Sequence, residues 1–175
     1  QKLMDRFRLP ELRDTEGMYA HAALDRMVET QGWVCPIQAD KRVDGAYYSP
    51  GQDIVVLPMK AQFNIGSTPD EIYRGGMEFY STMLHEMAHS TMTPQRLNRD
   101  GMGRFGDPKY AKEELVAELT AAMISHSMGF DSKVTDNSAA YLDSWIGVLK
   151  QEPKFIVSVM ADVNRASDMI LDHVD

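Results

Sequence analysis

Thr68-Pro69-Asp70-Glu71 opens a run that continues through Tyr73, Met77 and Tyr80 to His85-Glu86-Met87-Ala88-His89. A hydroxyl at the N-cap, proline at the first helical position and an acid at the third make a capping box, which predicts a helix start. Apolar Tyr73, Met77, Tyr80, Leu84, Met87 and Ala88 recur three or four residues apart, so one stripe of this helix faces a core. The pattern is expected to run to about Thr91 and to stop before Pro94, with Gly75-Gly76 as a weak point in its first turns.

Two histidines at i and i+4 project from one side of a helix, near enough for both imidazoles to bind one metal ion. The glutamate between them is turned by about 100° toward an incoming water. His85 and His89 point away from the Tyr73/Met77/Tyr80/Leu84 stripe, so the helix buries one face and offers another to a metal. The competing reading is two surface histidines on an ordinary amphipathic helix, and the agreement of period, cap and face argues against it.

A catalytic zinc commonly has three protein ligands and one open position. Met92 and Gln95 stand where a metzincin would continue with glycine and a third histidine, so the third ligand comes from elsewhere. A second helix is expected over 109–128, containing Lys112-Glu113-Glu114-Leu115-Val116-Ala117-Glu118-Leu119. Glu114 and Glu118 share one shoulder of its apolar stripe, and small Ala117, Ala121 and Ala122 would let it pack closely on the first helix. Glu114 is the expected ligand, with Glu118 and Glu113 as the alternatives. Glu118, one turn on, is placed to accept a hydrogen bond from the free ring nitrogen of a liganding histidine. Glu113 is expected to turn away into solvent. Zinc is the expected ion, although manganese, cobalt or nickel would suit the same ligands.

Outward from these helices, the first half of the chain carries the strand-like runs. Trp33–Ile37, Gly45–Tyr48 and Asp53–Pro58 are short, β-branched or aromatic, and separated by turn residues, which predicts a small antiparallel sheet. A helix is expected from Tyr19 to near Gly32, and two more at 138–149 and 153–171. Sheet first and helices later reads as an α+β fold, with residues 1–175 as a single domain. The start at Gln1 rather than Met leaves room for this to be a fragment of a longer protein.

The formal charge of −8 gives nucleic acid no support as the default partner. There is no apolar run long enough to span a membrane, and the N-terminus lacks the basic-then-apolar order of a signal peptide. A single cysteine, Cys35, fits a reducing cytoplasm, and its place in a strand-like run suggests burial rather than nucleophilic catalysis.

Beyond the His pair, the chain carries Tyr47-Tyr48-Ser49-Pro50, Asp53-Ile54, Pro58, Arg96-Leu97-Asn98-Arg99-Asp100, Gly103-Arg104-Phe105-Gly106, Tyr110-Ala111, the Glu113–Glu118 segment, Tyr141, Ser144-Trp145 and Val148-Leu149-Lys150. Together these resemble the zincin-like metallopeptidase domain of ArdC-type antirestriction proteins, over roughly residues 45 to 171. The resemblance implies a gluzincin-type site, a bacterial cytoplasmic location and carriage on plasmids, phages or conjugative elements. In that family the domain usually follows an N-terminal single-stranded-DNA-binding domain, which these 175 residues do not contain.

The expected reaction is peptide hydrolysis of a protein or peptide substrate, with Glu86 taking the proton of a metal-bound water. Asp53–Leu57 is expected to hold the peptide by its backbone edge. Tyr47, Tyr48 and His126 are oxyanion candidates, each better read as packing. The rival from another class is a non-catalytic, metal-stabilised binding module that presents an acidic surface to a host protein. A third reading is DNA binding through Arg96, Arg99, Arg104, Lys109 and Lys112, a loop whose surplus of positive charge is more often simply solvated.

Overall fold

The computed structural model describes residues 11–100, 108–131, 145–147 and 154–174. Helix α1 (Ala22–Thr30) starts where the His21 ring accepts the amide of Leu24, and it buries Leu24 and Met27. It ends at Gln31, whose side-chain amide bonds both the N–H and the C=O of Ile37 at 3.0 Å and so docks the next segment.

Three short strands follow, β1 (Ile37–Gln38), β2 (Tyr47–Ser49) and β3 (Ile54–Val56), in the order β1-β3-β2. β2 pairs antiparallel to β3, with Tyr48 opposite Val55, whereas β1 runs parallel to β3, with Ile37 opposite Val55. The sheet is therefore mixed rather than wholly antiparallel. Residues 39–46 carry the chain to the far edge, and the β2–β3 hairpin then returns β3 between the other two strands. That places β3 at the centre with both edges bonded, so it has no edge to offer a peptide.

A 3-10 turn (Lys60–Phe63) leads to α2 (Pro69–Ser90), which begins with the full capping box between Thr68 and Glu71. Gly75-Gly76 does not break it. A Cβ on Gly75 would lie 2.4 Å from the Phe63 carbonyl oxygen, and one on Gly76 would lie 2.4 Å from the backbone of Tyr19. The pair is thus a groove along which other backbone crosses the helix, and the Tyr19 amide donates to the Tyr73 carbonyl there.

Helix α3 (Pro108–Ser127) packs on α2, and α4 (Phe155–Leu171) packs on α3. Tyr80, Met83, Leu84 and Met87 of α2 are fully buried between Val55 of β3 with Leu57 just after it and the α3 residues Ala117, Ala121 and Ile124. The small alanines permit the close approach of α3. A second apolar cluster joins Ala111, Leu115 and Val116 of α3 to Val159 and Val163 of α4 and to Trp145, whose indole donates to the Ala111 carbonyl at 2.7 Å. Of the helix expected at 138–149, only 145–147 lie within the described residues, and these are helical. No helix among the described residues is long and apolar enough to cross a membrane.

Candidate metal centre

His85 and His89 lie on the last two turns of α2, and Glu114 on the second turn of α3 faces them. His85 Nε2 and His89 Nε2 are 3.0 Å apart. Glu114 Oε1 stands 3.4 Å from His89 Nε2, and its Oε2 stands 3.7 Å from His85 Nε2. Tetrahedral ligands about 2.0–2.2 Å from one ion lie about 3.3–3.6 Å from one another, so this spacing suits a single metal ion. The donor set, two imidazoles and one carboxylate, is of the kind that binds zinc and similar divalent ions. Three lone pairs turned on one point repel unless a cation or shared protons lie between them.

The outer nitrogens of both rings also face carboxylates. His85 Nδ1 is 3.3 Å from Glu118 Oε2, a charge contact whose alignment falls short of a hydrogen bond. His89 Nδ1 is 3.4 Å from Glu113 Oε1. Glu118 thus stands where the helical spacing puts it. Glu113, expected in solvent, is instead buried, because Arg99 returns from the preceding loop and covers it.

These contacts set the charges. Burial would lower the His89 imidazole, but Glu113 and Glu114 outweigh it and push it up to about 10. His85 is raised in the same way, burial being outweighed by Glu114 and Glu118. Burial would raise Glu114, but the two imidazoles hold its carboxyl well below the usual range. Glu113 is likewise lowered against its burial by His89 and Arg99. Glu86 is buried between the two histidines in sequence, and its charge also acts to raise both rings.

Two of the three loop arginines that suggested DNA binding, Arg96 and Arg99, are turned inward. Arg96 grips Asp53 with both terminal nitrogens, at 2.9 and 2.7 Å, and Arg99 grips Glu113 at 2.6 and 2.9 Å. Lys109 pairs with Asp100 and Lys112 with Asp162, while Arg104 lies outside the described residues. The Tyr48 hydroxyl is committed to Asp53 at 2.7 Å, and Tyr47 and His126 are exposed. Cys35 is buried, and burial pushes its thiol up, as befits packing rather than catalysis. Sequence reasoning named Glu113 as an alternative ligand and Arg99 as a loop cation, but missed their pairing beside His89. The signal available was the spacing of an acid beside the ligand pair and an arginine soon after the helix.

The profile of the zincin-like metallopeptidase family matches residues 22–162. A DNA primase TraC from Escherichia coli is 36% identical over 128 residues, which are 73% of this chain and 11% of the primase. An uncharacterized protein, y4eC, of Sinorhizobium fredii is 30% identical over 146 residues, 82% of this chain and 44% of that protein. The metal-free crystal structure of the antirestriction ArdC protein from the R388 plasmid superposes with a TM-score of 0.68 at 32% identity, covering 95% of this chain and 56% of that one. Its Mn(II)-bound structure gives 0.68 at 31%, covering 95% and 58%. The chain therefore spans a small part of the primase and little over half of the ArdC protein.

Proposed function

Because the chain belongs to the zincin-like metallopeptidase family, we propose that it hydrolyses peptide bonds with a water activated at a centre held by His85, His89 and Glu114. The observation that supports this reading is the convergence of those donor atoms, two from the helix that also carries Glu86 and one from α3, within 4.8 Å of one another. Zinc held by these three residues would supply Lewis acidity and would lower the pKa of a water there toward about 7. Glu86 takes that water's proton and passes it to the leaving amine. Glu113 and Glu118 orient the two imidazoles. The peptide-holding role falls to β2, the antiparallel edge strand, since β3 is enclosed. The likeness to ArdC supports an antirestriction setting on a mobile element in a bacterial cytoplasm.

Metal content and peptide hydrolysis are measured on the wild type, His89→Ala, Glu114→Ala and Glu86→Gln. The expected result is about one zinc per chain, lost in the first two variants and kept in Glu86→Gln, whose hydrolysis falls by about 10²–10⁴-fold. Manganese in place of zinc would change the ion and leave the site. No divalent metal after loading, or hydrolysis untouched by Glu86→Gln, overturns the reading in favour of a non-catalytic binding module.

A further inference from the structure

Arg99 brings a guanidinium up against Glu113, one of the carboxylates that face the candidate centre. Its Nε and Nη2 donate to Glu113 Oε2 and Oε1 at 2.9 and 2.6 Å, and both side chains are only 5% exposed. The same Glu113 Oε1 stands 3.4 Å from His89 Nδ1. The guanidinium is itself tied to the end of α2, with Nη1 donating to Thr91 Oγ1 at 2.7 Å and Nη2 to the Ala88 carbonyl at 3.0 Å. Its backbone is fixed as well, since the Arg99 amide donates to the Met92 carbonyl at 2.9 Å.

We propose that Arg99 is a positioning residue of the metal centre, which fixes the plane of the Glu113 carboxylate and through it the orientation of the His89 ring. The inference rests on His85, His89 and Glu114 holding a metal ion. An imidazole that gives Nε2 to an ion keeps its proton on Nδ1, and the acceptor of that proton sets the ring's rotation and its basicity. A carboxylate free to rotate would lose that control. Arg99 removes the freedom with a two-point grip that the single ammonium of lysine cannot copy. The bonds to Ala88 and Thr91 reference the grip to α2 itself, so the helix bearing His89 and the helix bearing Glu113 are held in register across the centre.

The test compares the wild type, Arg99→Gln, Arg99→Lys and Glu113→Gln, using the full chain. Zinc affinity is measured by chelator competition, the visible spectrum after Co(II) loading, and the stability of the metal-stripped protein separately. Arg99→Gln and Glu113→Gln are expected to weaken zinc binding by about 10- to 100-fold and to alter the Co(II) bands, with Arg99→Lys restoring little of either. Combining Arg99→Gln with Glu113→Gln should add little further loss, since both break one chain of contacts. Unchanged affinity and Co(II) bands, with only the stripped protein destabilised, would make Arg99 a structural residue and overturn the proposal. Should Arg99→Gln fail to fold, Arg99→Lys decides the matter by the same readouts. A wild type that binds no ion removes the centre, and both readings fall with it.

Discussion

Arg96 and Arg99, three residues apart in one loop, grip different neighbours of the same helix end: Arg96 holds Asp53 beside the sheet, and Arg99 holds Glu113 on α3. Both also reach back to α2, Arg96 to the Ser90 carbonyl at 2.7 Å and Arg99 to that of Ala88 at 3.0 Å. The last carbonyls of a helix lack intrahelical partners and carry its negative pole, so cations there satisfy both needs. The loop thus joins sheet, α2 and α3 at the end where the histidines lie.

The two arginines should separate experimentally. Arg96 touches the sheet and none of the candidate ligands, so Arg96→Ala is expected to lower stability by about 1–2 kcal/mol while zinc affinity stays within a few-fold of wild type. The half-exposed Asp53 keeps the cost below that of a fully buried pair. Denaturant unfolding and chelator competition on the same preparation check this, and a large loss of affinity would show that the loop acts as one unit.

Gly76→Ala is the substitution with the clearest backbone penalty. An alanine gains about 1 kcal/mol of helix propensity over glycine, but its Cβ would stand 2.4 Å from both the N and O of Tyr19. Backbone cannot yield as a side-chain tip does, so the segment at Tyr19 must move off α2. A net loss of about 3 kcal/mol or more is expected from the overpacking, read as a lower denaturant midpoint. A neutral or stabilised variant would contradict the close crossing.

Asp162 gives the pH dependence outside the candidate centre. Burial would raise its carboxyl, but Lys112, at 2.9 Å, and Arg165 outweigh it and hold it below its ordinary value. A carboxyl lowered on folding contributes stability above the unfolded value, near 3.9, and loses it as pH falls through that value and the folded one. Because solvent screens Arg165, the contribution is about 1 kcal/mol. Asp162→Asn should therefore lower stability at pH 7 and converge on the wild type as pH falls from about 5 to 2. A gap that persists at the acid end would assign the effect to packing.

What could be read from the residues follows how local each signal is. Thr68, Glu71 and Pro94 lie beside the ends they mark, so the bounds of α2 were legible, as was the shared face of His85 and His89. Glu114 and Glu118 were placed by helical spacing alone. Glu113 was not, because a helical wheel points it at solvent, whereas the returning Arg99 closes over it beside His89. Gly75-Gly76 read as a helix weakness because the crossing backbone of Tyr19 and Phe63 leaves no local trace. The parallel pairing of β1 with β3 was hidden for the same reason, since two residues at 37–38 find partners at 55–56 across an intervening strand.

Metal removal should cost stability without unfolding the chain. The buried contacts of Tyr80, Met83, Leu84 and Met87 with Val55, Ala117 and Ile124 hold α2 between sheet and α3 independently of any ion. The likeness is also equal to the metal-free and Mn(II)-bound forms of the ArdC structure. Chelation is therefore expected to leave the far-ultraviolet circular dichroism of the wild type unchanged, unlike a zinc finger, whose folding needs its ion. Titrating zinc back should raise the melting temperature with free ion, since an ion that binds only the folded chain adds about 4 kcal/mol at a thousand times Kd. His85→Ala should abolish that rise, because the remaining pair, His89 and Glu114, leaves the ion with one imidazole fewer. A wild type that loses its helices on chelation would mean that repulsion among Glu113, Glu114, Glu118 and Glu86 outweighs the apolar packing. The chain would then depend on a bound ion for folding.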